Sequence, residues 1–333
     1  MAIKLGVNGF GRIGRYLVRL VEECPDLEIA AINARAENSD LPHLPKYDSV
    51  HGKFPGEVGY DEKGLIVNGK SIPVTRKPIV EWEWADYGVD IAVETTGKVK
   101  DRDGLAQHLA CGAKKAVNSA PAKNADITIV MGVNHGDYKA SKHQVISAAS
   151  CTTNCLAPAT KIINDNFGIK SGLMTTIHAY TMSQRILDGS DKDLRRGRAA
   201  AMSLIPTSTG AARAIGLVIP ELKGKIDGMA VRVPTPDGSM VDVVYELESK
   251  TTVQEVNAVL KEAAEGKMKG YMGYSEEPLV SIDYIGDIHG GVVDSLCTNV
   301  MDGTLLKLII WYDNEAGFTH QLVRLLLMVG KSL

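Results

Sequence analysis

Residues 3 to 15, IKLGVNGFGRIGR, decide the fold of this chain. The apolar run Ile3–Asn8 has the length of a buried strand, and a segment with helical periodicity follows over Ile13–Glu23. Gly9, Gly11 and Gly14 form a G-x-G-x-x-G motif at the turn between them. Gly9 permits a tight turn, Gly11 lets backbone N–H groups approach a pyrophosphate, and Gly14 lets the helix pack on the strand. A glycine-rich turn can be merely structural, but this order of strand, glycines and helix favours a dinucleotide site.

The rest of the N-terminal half continues the alternation of strands and helices. Further short apolar runs, rich in Val, Ile and Ala, cover Leu27–Asn33, Val89–Thr95, Lys115–Asn118, Ile127–Val133 and Gln144–Ala148. Such strands, separated by helical segments, are typical of a parallel sheet with helices on its faces. The pattern predicts an α/β fold with a Rossmann-type, dinucleotide-binding domain over residues 1–150.

The pattern changes after Cys151. A helix is predicted to about Phe167, and longer apolar runs over 172–180, 228–233, 240–248 and 305–312 predict strands, with another helix over Val253–Glu265. This spacing favours a mixed or antiparallel sheet, and therefore an α+β catalytic domain over residues 151–315. The amphipathic stretch Ala316–Val329 could pack on either domain, and we assign the C-terminal helix, residues 316–333, to the first.

Composition excludes several classes of function. The chain has 333 residues, 44% hydrophobic and 23% charged, with a net charge of −3, so nucleic acid is not expected as its main partner. The sequence contains no long apolar stretch and no signal-peptide pattern, which predicts a cytoplasmic protein without membrane segments. Five cysteines without a C-x-x-C pair argue against a disulfide framework and a structural zinc site, so no metal is expected.

The segment SAASCTTNCLAP, residues 147–158, places Cys151 at the start of the predicted helix. The cysteine could be a nucleophile, half of a pair with Cys155, or a packing residue. At a helix N-terminus with a basic neighbour, the pKa of a thiol is expected to fall from about 8.5 towards ~3.5–7.5. Cys155, one helical turn later, is predicted to pack beneath it. The candidate base is His178 in GLMTTIHAYT, although a histidine at the end of a strand can equally be a core residue.

Eight segments, in the same order along the chain, resemble the phosphorylating glyceraldehyde-3-phosphate dehydrogenase family: GVNGFGRIGR, YDSVHGKF, SAASCTTNCLAP, TTIHAYT, LRRGRAAA, IPTSTGAA, VRVPTP and WYDNEAGF. The resemblance covers essentially the whole chain. It implies a homotetramer that converts D-glyceraldehyde 3-phosphate to 1,3-bisphosphoglycerate with a nicotinamide coenzyme and inorganic phosphate. Cys151 would form a thiohemiacetal and then a thioester, and His178 would act as the base.

The same resemblance implies a set of binding residues. The phosphate of the aldehyde would be bound by Thr181 and Arg232, and the attacking phosphate by Ser150, Thr152, Thr209 and Gly210. The coenzyme would be contacted by Arg12 and Ile13 at the pyrophosphate turn, Thr96 and Ser119 on the nicotinamide side, Asn314 at the carboxamide and Arg76 near the adenine. One of Arg195, Arg196 and Arg198 would assist the phosphates, or the three would form a solvated or interface charge run.

The choice of coenzyme depends on the end of the second strand, Asn33-Ala34-Arg35. A carboxylate at this point binds the adenosine ribose and disfavours a 2′-phosphate, whereas an arginine accommodates one. Here the carboxylate is missing. In addition, Gly189-Ser190 replaces the bulkier Leu-Pro often found in NAD-specific relatives and, by the family resemblance, would leave room, with a hydroxyl, beside the 2′ position across a subunit interface. We predict use of NADP, alone or alongside NAD; otherwise Ala34 and Arg35 are ordinary surface residues.

Three departures from the family pattern leave the reacting groups intact: the turn Asp237-Gly238-Ser239, Ala316 in place of an aromatic residue, and Ser183 in place of an acid. Two alternative functions stay open at this point. An erythrose-4-phosphate dehydrogenase would hydrolyse the thioester, but the intact Ser208-Thr209-Gly210 favours an attacking phosphate. A non-catalytic scaffold or RNA-binding role fits poorly with a nearly neutral chain that retains Cys151 and His178.

Overall fold

The computed structural model describes residues 2–333, which form two units. The first unit contains the described residues up to Ile129, His135–Ala149 and Leu322–Leu333, and the second contains Val130–Asn134 and Ser150–Gln321. The boundary near the C-terminus therefore falls within the last helix. Among residues 2–333, no helix combines the length and apolar character that crossing a bilayer requires.

The first unit is an α/β unit, as the sequence predicted. Its elements, in chain order, are β1 (Ile3–Asn8), α1 (Arg12–Val21), β2 (Leu27–Asn33), α2 (His43–Lys46), β3 (Tyr47–Asp48), β4 (Gly52–Lys53), β5 (Val58–Tyr60), β6 (Gly64–Val67), β7 (Lys70–Thr75), β8 (Ile91–Glu94), α3 (Arg102–Ala110), β9 (Lys115–Asn118), β10 (Ile127–Thr128) and β11 (Val145–Ser147).

The main sheet of this unit has the order β10-β11-β9-β8-β1-β2-β7-β6-β5. The strands from β10 to β7 pair in parallel, but β5, β6 and β7 pair antiparallel, so the predicted parallel sheet has an antiparallel extension. The hairpin between β6 and β7 turns at Asn68 and Gly69, both with positive φ, which is the Asn-Gly signal for a two-residue turn. The predicted strand Ile127–Val133 is too long, because Val130–Asn134 forms a turn in which the Asn134 amide oxygen accepts from the Val130 N–H.

A row of polar residues ends the parallel strands. Successive neighbours in register across the sheet are Thr75, Asn33, Asn8, Glu94, Asn118, Ser147 and Thr128. Ligands of open α/β sheets bind outside the carboxyl ends of the strands. This polar row therefore lies at the edge where a dinucleotide site is expected.

The second unit is built on a mixed sheet, which confirms the predicted α+β class. Its elements are α4 (Cys151–Phe167), β12 (Ile169–Ala179), β13 (Ile205–Ser208), α5 (Ala211–Val218), β14 (Ile226–Val233), β15 (Ser239–Leu247), α6 (Val253–Glu265), β16 (Met272–Ser275), β17 (Gly291–Met301) and β18 (Leu305–Tyr312), followed by α7 (Ala316–Gly330). The sheet order is β13-β14-β12-β15-β18-β17-β16, with parallel and antiparallel pairs. Helix α4 is buried along most of its length and packs on the central strands, which fixes its N-terminus.

Candidate active site

The N-terminus of α4 holds Cys151. Ser150 caps the helix, because its hydroxyl oxygen accepts from the Thr153 N–H at 3.1 Å. Cys151 is the first helical residue and Cys155 lies fully buried one turn later, with its sulfur 3.7 Å from the Ile310 carbonyl oxygen. All five cysteines are free thiols. Cys155 is therefore a packing residue, and the disulfide interpretation of the pair is wrong.

His178 faces Cys151 from the end of β12. Its Nε2 atom lies 3.5 Å from the Cys151 sulfur, and its Nδ1 atom lies 2.7 Å from the Ala179 carbonyl oxygen. With the proton on Nδ1, donated to the Ala179 carbonyl oxygen, the lone pair of Nε2 faces the thiol, as a base requires; with the proton on Nε2, Nδ1 would instead accept from Arg232. A nucleophile and an oriented base within reach of each other are the arrangement that covalent catalysis requires.

Burial keeps both members of this pair neutral. Burial raises the pKa of the Cys151 thiol, although Arg232 and hydrogen bonds from Thr152 act in the opposite direction. Burial and then the charge of Arg232 lower the pKa of His178 to about 3. The direction for Cys151 is opposite to the one predicted from the helix N-terminus, because removal from water outweighs the favourable charges. At neutral pH the chain alone therefore holds a thiol beside an unprotonated imidazole.

Arg232 supplies the positive charge of the site. It lies opposite His178 in the register of β12 and β14, and its Nη1 atom is 2.6 Å from His178 Nδ1 and 2.9 Å from the Ala179 oxygen. Within residues 2–333 it forms no ion pair with a carboxylate, and its pKa is lowered by burial. A partly buried guanidinium without a counter-ion is suited to bind an anion such as a phosphate.

The three arginines after Leu194 differ in their surroundings. Arg196 donates to the Thr207 hydroxyl at 2.6 Å, and its charge acts on Arg232. Arg198 pairs with Asp188 on the surface, and the Arg195 N–H donates to the Asp193 carboxylate. Of the three, Arg196 is the one whose charge lowers the pKa of Arg232.

The hydroxyl groups predicted to bind phosphates have protein partners. The Thr152 hydroxyl is 2.9 Å from the Tyr312 hydroxyl, and the Ser150 hydroxyl is 2.8 Å from that of Thr153. Thr181 is oriented by Ser183, with 3.0 Å between their hydroxyl oxygens. Ser183 can thus orient Thr181, although the family pattern commonly has an acid at position 183.

Ser208, Thr209 and Gly210 lead into α5. The Thr209 hydroxyl accepts from the Ala211 N–H at 3.2 Å, and Gly210 lies at the start of the helix without a side-chain cap. A Cβ atom at Gly210 would meet no other atom within 4 Å. The backbone at this helix N-terminus is therefore open to a ligand, and the positive end of the helix favours an anion.

Two supporting contacts were missed in the sequence. Tyr312 is buried, its hydroxyl lies 2.8 Å from that of Thr176, and its ring is nearly perpendicular to that of His178 at a centroid distance of 5.8 Å. The Asn314 side-chain oxygen accepts from the Ser239 hydroxyl at 2.5 Å. The segment WYDNEAGF contains both Tyr312 and Asn314, but their partners are distant in sequence.

The glycine motif fits a dinucleotide. Gly9 has φ of 105°, and a Cβ atom at Gly14 would lie 2.3 Å from the Gly9 carbonyl oxygen, so helix and strand pack too closely for any other residue. A Cβ atom at Gly11 would meet nothing within 4 Å, and no side chain caps the N-terminus of α1. These features leave open backbone where a pyrophosphate would bind.

A cavity of about 660 Å³ adjoins this motif in the first unit. Of the predicted coenzyme residues, its lining includes Gly9, Gly11, Ala34, Arg35, Arg76 and Thr96. The lining also has the cations Arg15, Lys77 and Lys98 and the carboxylate Asp40. An excess of positive charge suits a phosphate-bearing ligand. The end of β2 has no carboxylate, as the sequence showed, but Asp40 from the next turn reaches the cavity.

Other predicted coenzyme residues lie outside this lining. The Arg12 guanidinium forms an ion pair with Asp48 at 2.5 Å, so its contribution at the pyrophosphate turn would come from its backbone, as for Ile13. The Ser119 N–H donates to the Glu94 carbonyl oxygen at 3.0 Å. Ser190 is exposed in the second unit, where its carbonyl oxygen accepts from Arg185.

Comparison with known proteins agrees with this geometry. Family models match residues 3–102 as "Glyceraldehyde 3-phosphate dehydrogenase, NAD binding domain" and residues 150–314 as "Glyceraldehyde 3-phosphate dehydrogenase, C-terminal domain". The chain is 56% identical over 326 residues to the glyceraldehyde-3-phosphate dehydrogenase of Geobacillus stearothermophilus, covering 98% of this chain and 97% of the relative. It is 55% identical to glyceraldehyde-3-phosphate dehydrogenase 1 of Bacillus subtilis (99% of each chain) and 48% identical to glyceraldehyde-3-phosphate dehydrogenase 2 of the same organism (98% and 96%). The chain therefore belongs to the glyceraldehyde-3-phosphate dehydrogenase family, which confirms the resemblance seen in the sequence.

Proposed function

We propose that the protein oxidises and phosphorylates D-glyceraldehyde 3-phosphate to 1,3-bisphosphoglycerate, reversibly, with a nicotinamide coenzyme and inorganic phosphate. The observation that carries this proposal is the 3.5 Å approach of Cys151 Sγ and His178 Nε2 beside the unpaired cation Arg232. The names of the relatives favour this activity over erythrose-4-phosphate oxidation or a scaffold role.

The first half of the reaction uses the neutral pair. As Cys151 attacks the aldehyde carbon, His178 Nε2 takes the thiol proton and passes it to the aldehyde oxygen, which gives a thiohemiacetal. Arg232 and Thr181 bind the phosphate of the aldehyde. That phosphate neutralises the guanidinium charge, which lets the pKa of His178 rise from about 3.

The second half forms and cleaves the thioester. When bound, the coenzyme supplies the acceptor for the hydride that leaves the thiohemiacetal carbon. His178 Nε2 takes the hydroxyl proton as the carbonyl forms, and returns it to the Cys151 sulfur when phosphate displaces that sulfur. The backbone at Gly210 and the hydroxyl of Thr209 bind the attacking phosphate. Ser150 and Thr152, at the N-terminus of α4, also bind it, and Arg196 adds positive charge.

Reduction of the coenzyme tests this function. The wild-type chain is incubated with glyceraldehyde 3-phosphate or erythrose 4-phosphate, each with and without inorganic phosphate, and absorbance of the reduced coenzyme is followed. We expect sustained turnover only with glyceraldehyde 3-phosphate and phosphate together. Faster turnover of erythrose 4-phosphate, independent of phosphate, would contradict the proposal.

For the coenzyme itself, we expect kcat/KM with NADP to equal or exceed that with NAD. Arg35 can neutralise a 2′-phosphate, and Ala34 places no carboxylate against it. The double variant Ala34→Asp, Arg35→Leu should reverse the ratio, whereas Asp40→Asn, which removes the carboxylate in the lining, should keep the NADP preference. Steady-state kinetics with both coenzymes measure this. A wild-type preference for NAD of about tenfold or more would show that Ala34 and Arg35 do not select the coenzyme.

We also propose that four copies assemble, in the cytoplasm. The segment between Met182 and Leu204 exposes large apolar side chains, among them Ile186 at 84% and Leu194 at 86%. A monomer rarely exposes so much apolar surface in one segment. Sedimentation velocity should give the mass of four chains, and Ile186→Glu should yield smaller species. A wild-type monomer at micromolar concentration would rule out the tetramer.

A further inference from the structure

Glu94 is the charged member of the polar row that ends the parallel strands. It has no exposed surface, and four hydrogen bonds converge on its two carboxylate oxygens. Asn8 Nδ2 donates to Oε2 at 2.5 Å, His108 Nε2 lies 3.2 Å from the same oxygen, and the Thr96 N–H donates to Oε1 at 2.7 Å. The Thr96 hydroxyl also donates to Oε1.

The protonation state of His108 follows from its other contact. The Trp84 indole nitrogen lies 3.0 Å from His108 Nδ1, and an indole N–H can only donate. His108 Nδ1 therefore carries the lone pair, and Nε2 carries the proton that is donated to Glu94. The imidazole is neutral, so the contact between Glu94 and His108 is a hydrogen bond between an anion and a neutral ring.

Glu94 is thus a buried anion held by neutral donors. Burial acts to raise the pKa of Glu94, but the hydrogen bonds from His108, Thr96 and Asn8 hold it below its ordinary value. An amide could not replace the carboxylate, because it has only one oxygen and would set its own N–H groups against these donors. These donors are neutral, so they stabilise the anion without cancelling its negative charge.

The network ends at the wall of the coenzyme cavity. Asn8 and Thr96, which donate to Glu94, both line that cavity, as does Thr95. Asn8 in turn accepts from Asn33 Nδ2 at 2.8 Å, and Asn33 Oδ1 accepts from the Lys77 N–H at 2.8 Å. The carboxylate therefore sets the position of side chains at the ends of three strands that face the ligand.

We propose that Glu94 is a positioning residue that also biases this cavity towards the oxidised coenzyme. The inference rests on the proposed binding of NAD or NADP. The oxidised nicotinamide ring carries one positive charge that the reduced ring lacks, whereas the phosphates are unchanged. The family resemblance places the nicotinamide on the side of Thr96 and Ser119, and both of these residues hydrogen-bond to Glu94. A fixed anion at this point would therefore stabilise the oxidised form relative to the reduced form.

Dissociation constants for oxidised and reduced coenzyme, measured by calorimetry on the same protein preparations, test this inference. In Glu94→Gln the ratio Kd(oxidised)/Kd(reduced) should rise by about threefold to tenfold, the size expected for loss of one partly shielded charge. Glu94→Asp keeps the charge but shortens the side chain, so both affinities should weaken in parallel. His108→Gln, the matched control, removes the imidazole and keeps the carboxylate, and its ratio should equal that of the wild type.

The outcomes separate this inference from the proposed function. A ratio unchanged in Glu94→Gln, or shifted equally in Glu94→Asp, would overturn the role of the charge. A wild-type chain that binds neither form of the coenzyme would instead contradict the proposed function. If Glu94→Gln does not fold, the inference is tested in the wild type by NMR, because the ¹³C chemical shift of the Glu94 side-chain carboxyl reports whether the group is ionised. A carboxylate at pH 7 is expected, and a protonated carboxyl would overturn the inference.

Discussion

Cys151→Ser will lose aldehyde oxidation by a factor of about 10⁴ or more, because a serine hydroxyl beside a neutral imidazole is a far weaker nucleophile than a thiol. The variant should bind coenzyme as the wild type does, because the cavity and the glycine motif belong to the first unit. Initial rates of coenzyme reduction at saturating phosphate measure the loss. The replacement exchanges one sulfur for a smaller oxygen and leaves the backbone unchanged, so the thermal midpoint should change little.

Cys155→Ala is the matched control for this prediction. Cys155 is fully buried, and its sulfur contacts the backbone of β18, so alanine leaves a small cavity but removes no reacting group. We expect this variant to retain most of the activity and to lose some stability. Iodoacetamide should label Cys151 in the wild type faster than Cys155. Equal labelling of both residues near neutral pH, or an active Cys151→Ser enzyme, would overturn the assignment of the nucleophile.

His178→Asn should slow hydride transfer by about 10²–10⁴-fold, because the reaction loses the base that accepts the thiol and hydroxyl protons. Asparagine keeps a polar side chain in the buried site, although it is smaller than histidine. Single-turnover formation of reduced coenzyme measures the step directly. Thr176→Val, which removes a hydroxyl that contacts Tyr312 but leaves the Cys151–His178 pair intact, is the control. A His178→Asn rate within a factor of about three of the wild type would exclude His178 as the base.

The pH dependence of alkylation gives a second test of the same pair. With a pKa of about 3, His178 is unprotonated from pH 4 upwards. The alkylation rate of Cys151 in the chain alone should therefore show no break near pH 6.5, and it should increase as the raised pKa of the thiol is approached. His178→Asn should slow alkylation below the pH of this increase, because Nε2 no longer accepts the thiol proton as the sulfur reacts. An alkylation profile that is identical in the variant would mean that the two side chains do not act together.

Local sequence patterns predicted much of the fold. The apolar runs and the glycine motif predicted β1, β2, β9 and β18 with the bounds that the structure has. A capping box at Thr252 marks the start of α6. The end of α4 coincides with Gly168, whose φ of 67° ends the helix. The hairpin between β6 and β7 also has a local sequence signal, the Asn68-Gly69 dipeptide, which is typical of a two-residue turn.

The candidate site was less predictable because it depends on contacts between distant segments. The pKa of Cys151 is set by how deeply α4 is buried, and no pattern around residue 151 reports that depth. The VRVPTP motif does not show that Arg232 lies beside His178 and away from carboxylates. That position follows only from the pairing of β12 and β14. From the sequence, Glu94 is only a charged residue at the end of a strand. Its place in the polar row follows from the register of β8 with β1 and β9. Side chains that meet across a sheet cannot be paired from one sequence.

The most direct test of the proposed chemistry is detection of the thioester itself. The wild-type chain is mixed with glyceraldehyde 3-phosphate and oxidised coenzyme in phosphate-free buffer, quenched in acid, and digested for mass spectrometry. We predict an acyl group on the peptide residue Cys151, absent from Cys155, and lost when inorganic phosphate is added before quenching. An unmodified Cys151, or an acyl group that phosphate does not remove, would contradict the account.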